Sequence, residues 1–417
     1  TWLRESGALS RVNWRDMGPE ELGSVYESLL ELVPRVSLTT RSFSFAEGDE
    51  TRGNARKTSG SYYTPDSLVH VLLDSALEPV VAATLAAHPT DPVEALLRLS
   101  IVDPACGSGH FLLAAARRLA GHVARLMARG TPTPPDYRRA LRRVVGACIY
   151  GVDLNPMAVE LCKVALWMEA LEPGRPLTFL DAHIRTGNAL VGATRARMAD
   201  GIPDEAWDPI EGDNKEVAKR LKKRNKTGAQ VGLFTNPTTT AIPTTAPTFE
   251  TEDDGTTDGL HRKAEGYKSW LSTSNAERSL ADLWTAAFLW PKQPGRDEDA
   301  APTSDLWRTV KTNAALIPAA TTTTVHHLRE QYRFFHWEVE FPSVFTRGGF
   351  DVVLGNPPWD QLQLDAREWF ASKMPDLANA QHLAARLKSL ESLKSTNPAL
   401  HQEFLHAKRQ NEGTQAF

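Results

Sequence analysis

Three short apolar runs, each ending in a polar residue and a turn, constrain this chain more than any other feature. The first is Leu99-Ser100-Ile101-Val102-Asp103; Pro104-Ala105-Cys106-Gly107-Ser108-Gly109 then makes a Gly-rich turn, and an Ala/Leu-rich helix starts near Phe111. The second, Ile149-Tyr150-Gly151-Val152, ends in Asp153, and Asn155-Pro156 caps a long apolar helix through Leu171. The third lies between Leu177 and Leu190, holds Asp181 and Ile184, and closes in the turn Gly187-Asn188-Ala189-Leu190. Strand, Gly loop, helix, strand, acid, helix, strand and polar turn follow one another. That alternation predicts an α/β, doubly wound, mostly parallel sheet with its ligand at the carboxyl ends of the strands.

The residues at those ends narrow the ligand. A Gly turn leading into a helix presents free N–H groups, which suit a phosphate or a carboxylate. Asp103 at the strand tip repels a phosphate and attracts a cation. The third glycine of a dinucleotide fingerprint is missing, and so is the lysine of a P-loop, which disfavours both classes. Asp153 stands where α/β folds hold ribose hydroxyls. Asn188 can read a base edge, although such a residue alone is most often a turn former. Trp167 and Met168 read as core.

A fourth apolar run, Phe350 to Leu354, reads as a buried strand that stops at Gly355, with Asn356-Pro357-Pro358-Trp359-Asp360 after it. Pro357 biases Asn356 towards an extended backbone, and both prolines fix φ and lack an N–H. The result is a stiff hook with an amide oxygen, neighbouring carbonyls and the flat face of Trp359. Acceptors beside a stacking surface suit a planar base with an exocyclic amino group; the plain alternative is a Pro-rich turn closing a strand.

Elsewhere the chain is less specific. Residues 1–57 read as a helical segment and linker, with Leu22, Val25, Tyr26, Leu29, Leu30 and Leu32 as helical positions and a loop over 42–61. Thr64 reads as an N-cap with Pro65 as the first residue of an amphipathic helix, and Thr131 to Asp136 as a surface loop. Residues 58–193 form the first half of the sheet domain and 194–330 a large insertion. Within the insertion, 215–226 is a basic, solvated helix face, 235–258 has the composition of a disordered loop, and 276–290 is a helix with Leu280, Leu283, Trp284, Ala287 and Phe288 on its apolar side. Residues 331–417 hold an aromatic block (331–345), the hook and helical segments with Leu387, Leu390 and Leu393. His336 in that block reads as structural rather than as a general base.

The 417 residues allow two or three domains, and 41% hydrophobic with 24% charged residues is ordinary for a chain with a real core. A net charge of −4 excludes a wholly basic nucleic-acid binder, so any DNA contact is local. Cys106, Cys148 and Cys162 have no metal-ligand spacing, and three cysteines do not make a disulfide framework. No signal peptide and no membrane-spanning run is evident, so a cytoplasmic location is expected, with no membrane partner and no metal.

Taken in order, Tyr62-Tyr63-Thr64-Pro65, Asp103-Pro104-Ala105-Cys106-Gly107-Ser108-Gly109, Asp153 and Asn356-Pro357-Pro358-Trp359 resemble the gamma-class N6-adenine DNA methyltransferases, in particular type IIG-like methylases and the phage-defence methylases of the BREX and DISARM kind. The resemblance covers residues 58–193 and 331–360 and implies a Rossmann-like fold that binds S-adenosylmethionine (SAM). It places Tyr63, Thr64, Asp103, Ala105, Cys106, Gly107, Gly109 and Phe111 around the methionine end, Asp153 at the ribose, and Asn188 where the family often has Asp at the cofactor's adenine. It makes Asn356, Pro357, Pro358 and Trp359 the catalytic hook. On that chemistry the Asn356 side-chain oxygen and the Pro357 carbonyl accept the two hydrogens of an adenine N6 and localise its lone pair. The base must be flipped out, and Trp359 stacks on it, worth roughly 1–3 kcal/mol.

The implied partners are double-stranded DNA and other proteins of a restriction-modification or phage-defence system. Other readings share the hook: methyltransferases acting on RNA adenine or protein glutamine, cytosine-N4 enzymes (which generally carry Ser at the Asn356 position), and a methyltransferase-like module that binds DNA or a partner without catalysis. No nuclease cluster is evident. A first residue other than Met, and only helical patterns after Trp359, lead to the expectation that the chain is part of a longer polypeptide, whose remainder supplies further strands and target recognition.

Overall fold

The computed structural model describes the chain except for residues 1, 6–7, 12–17, 19–22, 24, 26–33, 38–40, 46–63, 129, 233–246, 314–315, 358–363, 365, 372, 375–376 and 378–382. Near the N-terminal end, Trp2–Glu5 (β1) pairs with Ala8–Arg11 (β2), and Pro34–Ser37 (β3) with Ser42–Phe45 (β4), both antiparallel. These hairpins lie within the stretches expected as helix and loop. Of the helical positions named there, Val25 is helical and the others lie outside the described residues.

Four parallel strands make the sheet: β5 (Ile101–Asp103), β6 (Ile149–Asp153), β7 (Ile184–Thr186) and β8 (Val352–Val353), in the spatial order β7-β6-β5-β8. The chain steps outwards from β5 to β6 to β7, then returns to the other side of β5. That reversal makes β5 and β8 a topological switch point, the place where open α/β sheets bind their ligands. The architecture is α/β, as expected.

Period-two alternation sorts the strand residues onto two faces. Ile101, Ile149, Ile184, Val352 and Leu354 face a helical layer, with α1 (Asp66–Ala76), α2 (Glu78–Ala87), α3 (Pro92–Leu97), α4 (His110–Ala128), α5 (Pro134–Cys148) and α6 (Pro156–Glu169). The alanines of α4, Ala115, Ala116, Ala120 and Ala124, are buried among Leu112, Leu119 and Val123, and each such fully buried Leu or Val stabilises by about 1.5–3 kcal/mol. Helix α5 starts inside the expected 131–136 loop, because Thr133 and Asp136 form a reciprocal capping box ahead of Pro134. On the opposite face Val102, Tyr150 and Val152 meet the aromatic block, where Tyr150 is edge-on to Phe341 and Phe350, both at 5.4 Å. Val353 shares that face but is 61% exposed, because β8 forms an edge of the described sheet.

Between β7 and β8 the chain builds a second core around Trp207, Leu283, Trp284, Ala287, Trp290, Trp307 and Leu328. It includes the basic helix α7 (Lys215–Gly232) and α9 (Asn275–Leu289), while α8 (Thr257–Thr273) packs in a separate small cluster with Phe179, Ala182 and Phe249. Two basic residues of α7 are held by acids, Arg220 by Glu298 and Lys222 by Asp208, and Arg224 donates to the Thr303 hydroxyl and to two carbonyls. The acidic end of the expected disordered loop is folded. Phe249 is buried against Tyr267 and Trp270, and Asp254 accepts from Arg142 and from the Phe179 N–H, so one aromatic anchor and one buried arginine outweigh the composition.

One expectation needs correction. Asp66–Ala87, 22 residues with a hydropathy of 1.5, is long and apolar enough to cross a membrane by length and composition. The structure interrupts it at Leu77, two residues before Pro79, and packs Val69, Leu73, Leu77 and Val81 into the first core.

Candidate functional site

Each strand delivers one polar group to the carboxyl edge of the sheet: Asp103 on β5, Asp153 on β6, Asn188 two residues beyond β7, and Asn356 three residues beyond β8. The loops between them are tied together by backbone. The Cys106 N–H donates to the Val152 carbonyl (3.0 Å), the Gly187 N–H to the Asp153 carbonyl (2.9 Å), and the Leu354 N–H to the Val102 carbonyl (2.8 Å).

Asp153 is held at both oxygens. The Asn155 N–H donates to Oδ1 (2.7 Å) and the Gly107 N–H to Oδ2 (2.8 Å). Burial raises its pKa, and these two amides work against that rise. A carboxylate has about four lone-pair directions, so Asp153 retains acceptors for a diol.

Asp103 differs. It is 1% exposed, and its Oδ1 accepts from the Ala105 N–H at 2.9 Å. Among the described residues no cationic side chain pairs with it. Burial therefore pushes its pKa to about 7, the Ala105 amide opposing and the charge of Asp153 reinforcing the rise. A buried carboxylate with one neutral donor is a place for an external cation.

The hook sits directly over that carboxylate. Gly355 has φ +152°, and a Cβ built on it lies 2.7 Å from Asp103 Oδ1. Both facts call for glycine here: an L side chain is strained at that φ and collides with the acid. Gly355→Ala is expected to weaken cofactor binding and methyl transfer together, because Asp103 and Asn356 cannot both keep their places. Calorimetry and a transfer assay on that variant check this; unchanged values in both contradict it.

Thr64 leaves its expected capping role. The helix begins at Asp66, and the Pro65 carbonyl accepts its first bond, from the Leu68 N–H at 2.9 Å. The Thr64 hydroxyl instead accepts from Asn356 Nδ2 at 3.3 Å, joining residues 292 positions apart. With Nδ2 so directed, Oδ1 is the end of the amide that faces elsewhere. Asn356 and Pro357 are exposed, while Tyr63, Pro358 and Trp359 lie outside the described residues.

The remaining candidates fall into place around these. Ala105 and Gly107 are half-buried in the loop, whereas Cys106 is buried. Gly109 closes the turn, its N–H donating to the Cys106 carbonyl at 2.8 Å. Phe111 is buried in the first turn of α4, within the core behind the loop. Asn188 is half-buried, and its Oδ1 accepts from the Leu190 N–H at 3.0 Å.

Two residues were missed in the sequence. Leu154, next to Asp153, is 53% exposed, and Leu190, next but one to Asn188, is 64% exposed. A large apolar side chain beside each polar tip was the available signal. Together the edge offers a buried acid for a cation, a fixed acid for a diol, apolar surface for a planar ring, and an amide oxygen with a carbonyl at the adjacent hook. By their chemistry these groups suit a cationic nucleoside beside an exocyclic amine. Among the described residues no cluster of His, Cys, Asp and Glu has the grouping of a metal site.

Comparison with known proteins gives the same direction. Residues 147–383 match the family model of the Eco57I restriction-modification methylase, and residues 50–194 that of the N-6 DNA Methylase. A putative type II restriction enzyme and methyltransferase of Methanocaldococcus jannaschii is 23% identical over 398 residues, covering 83% of this chain and 30% of that protein. The adenine-specific methyltransferase PglX of Streptomyces coelicolor is 30% identical over 165 residues, 37% of this chain and 12% of that protein. The chain thus spans less than a third of the length of these two relatives.

Proposed function

The chain belongs to the Eco57I restriction-modification methylase family, and from that premise we propose that it transfers a methyl group from SAM to the N6 of a flipped adenine in double-stranded DNA. The setting we propose is restriction-modification or phage defence in the cytoplasm; one relative is named as a type II restriction enzyme and methyltransferase and the other as an adenine-specific methyltransferase. The observation that supports this most is the buried Asp103 carboxylate, which among the described residues accepts one hydrogen bond and lies against Gly355 of the hook. A site for a cationic cofactor and a site for an exocyclic amine share one wall.

SAM supplies a methyl group on a sulfonium, which needs only a nucleophile in line. The protein's part is to bind, orient and localise. Asp103 holds the ammonium, Asp153 the ribose hydroxyls, and Leu154 and Leu190 flank the adenine, with Asn188 at its edge. Thr64 keeps the Asn356 amide turned so that Oδ1 meets one N6 hydrogen, and the Pro357 carbonyl accepts the other. With both hydrogens engaged, the N6 lone pair is withdrawn from the ring and available for attack. Pro358 stiffens the hook and Trp359 stacks on the extruded base.

The experiment is SAM calorimetry against pH. Asp103 binds an ammonium only when ionised, and its pKa is raised to about 7. SAM affinity should therefore rise as pH increases through about 7, and Asp103→Asn should flatten the profile and weaken binding throughout. A flat profile for the unaltered protein, or an unaltered affinity in Asp103→Asn, removes the assignment of Asp103.

A further inference from the structure

The loop that carries Asn188 and Leu190 is bracketed, residue by residue, by a segment of the aromatic block about 145 positions later in the chain. The Asn188 N–H donates to the Arg333 carbonyl (2.7 Å), and the Phe335 N–H to the Val191 carbonyl (2.9 Å). The Trp337 indole N–H donates to the Ala189 carbonyl (2.9 Å), and the Arg195 N–H to Glu338 Oε2 (2.8 Å). The approach is so close that a Cβ at Gly192 would lie 1.9 Å from the Phe335 carbonyl oxygen.

At the centre of this bracket is His336, 1% exposed. Its Nδ1 accepts the Ala193 N–H at 2.9 Å, so Nδ1 is unprotonated. The hydrogen then resides on Nε2, which donates to Asp282 Oδ1 at 3.0 Å. Asp282 lies on α9, and its Oδ2 accepts from Arg329 at 3.2 Å. Asp282 thus fixes the tautomer, and the tautomer makes the acceptor for Ala193. With both nitrogens engaged, His336 is not placed to act as a base. It connects the insertion to the loop at the end of β7.

We propose that His336 is a positioning residue of the cofactor site, which holds loop 187–193 in the shape that receives the adenine of SAM. The proposal rests on the reading of Asn188 and Leu190 as the adenine side of that site. Without the Nδ1 acceptor a buried backbone N–H loses its partner, and the loop reorganises to recover one.

Two isosteric replacements in the full-length protein separate this from a general structural role. In His336→Asn the amide oxygen reaches the Nδ1 position, and SAM affinity should stay within about two-fold. In His336→Gln the amide reaches the Nε2 position, keeps Asp282 and leaves Ala193 unpartnered; SAM and adenosine should both bind about ten-fold more weakly. At saturating SAM, the His336→Gln turnover should be close to normal, which gives a KM effect without a kcat effect. Equal losses of affinity in both variants, tracking their melting temperatures, overturn the proposal, and so does an unchanged affinity in His336→Gln.

Leu190→Ser tests the underlying reading separately. If it leaves SAM affinity unchanged, the assignment of the adenine side fails. If it weakens SAM while His336→Gln does not, only the role of His336 fails. Should both His336 variants fold poorly, hydrogen exchange on the unaltered protein decides: SAM must slow exchange across residues 187–195, and no slowing there overturns the proposal.

Discussion

Asn356→Ala is expected to lower methyl transfer by about 100- to 1,000-fold, the size seen when one preorganised polar partner of a transition state is removed. SAM affinity should stay within about two-fold. The separation follows from placement. Asp103, Asp153, Leu154 and Leu190, the proposed cofactor groups, belong to β5, β6, β7 and their loops, whereas the Asn356 amide, proposed to meet the substrate, stands beyond β8 with its Nδ2 on Thr64. An alanine keeps the backbone of the hook but cannot hold the N6 hydrogen that Oδ1 would accept. Single-turnover transfer at saturating SAM reads the rate, and calorimetry reads the affinity. A parallel loss of both means that Asn356 is part of the cofactor site; an unaltered rate means that the hook is not catalytic.

Glu340→Ala is expected to destabilise the protein by about 3–5 kcal/mol, the cost of removing one partner from a buried ion cluster. Glu340 is buried between two arginines: Arg185 on β7 bonds to Oε2 at 2.5 Å, and Arg278 on α9 bonds to Oε1 at 3.0 Å. The two guanidiniums lie over the rings of Tyr267 (5.6 Å) and Trp270 (5.9 Å). Without the carboxylate, two like charges face each other in a low dielectric. Burial alone would raise the Glu340 pKa, but Arg185 and Arg278 outweigh it and hold it down to about 2. A carboxylate depressed in the folded state contributes stability above its unfolded pKa and loses it as pH falls through the folded value. Chemical denaturation should therefore find the cluster's contribution complete near neutrality and fading from about pH 4.5 towards pH 2. A variant as stable as the unaltered protein at pH 7 shows that the cluster is not holding β7 to α9.

What was legible in the sequence was local. Each strand tip is a few residues of apolar pattern followed by its own turn signal, so Asp103, Asp153, Asn188 and Asn356 could be set at strand ends before any packing was known. Long-range chemistry was not legible. Thr64 and Pro65 carry every local signal of a helix start, yet the helix begins one residue later, and the hydroxyl goes to an amide 292 positions away. Phe249 sits in a stretch whose average composition is disordered, and one buried ring decides otherwise. His336 and Glu340 read as unremarkable members of an aromatic block, because the groups that give them meaning, Ala193, Asp282, Arg185 and Arg278, lie 54 to 155 positions away. At the N-terminal end, the leucine periodicity centred on residues 22–32 left unseen the two hairpins on either side of it, Trp2–Arg11 and Pro34–Phe45, which pair over only a few residues.

The central claim is that the switch point between β5 and β8 joins a cofactor acid to a hook that presents the N6 amine of adenine. Its most direct test is nucleoside mass spectrometry of DNA incubated with the full-length protein and methyl-labelled SAM. The account predicts label in N6-methyl-2′-deoxyadenosine, and its loss in Asn356→Ala. Label in N4-methylcytosine, in RNA or in protein glutamine, or DNA without any labelled base, would contradict it.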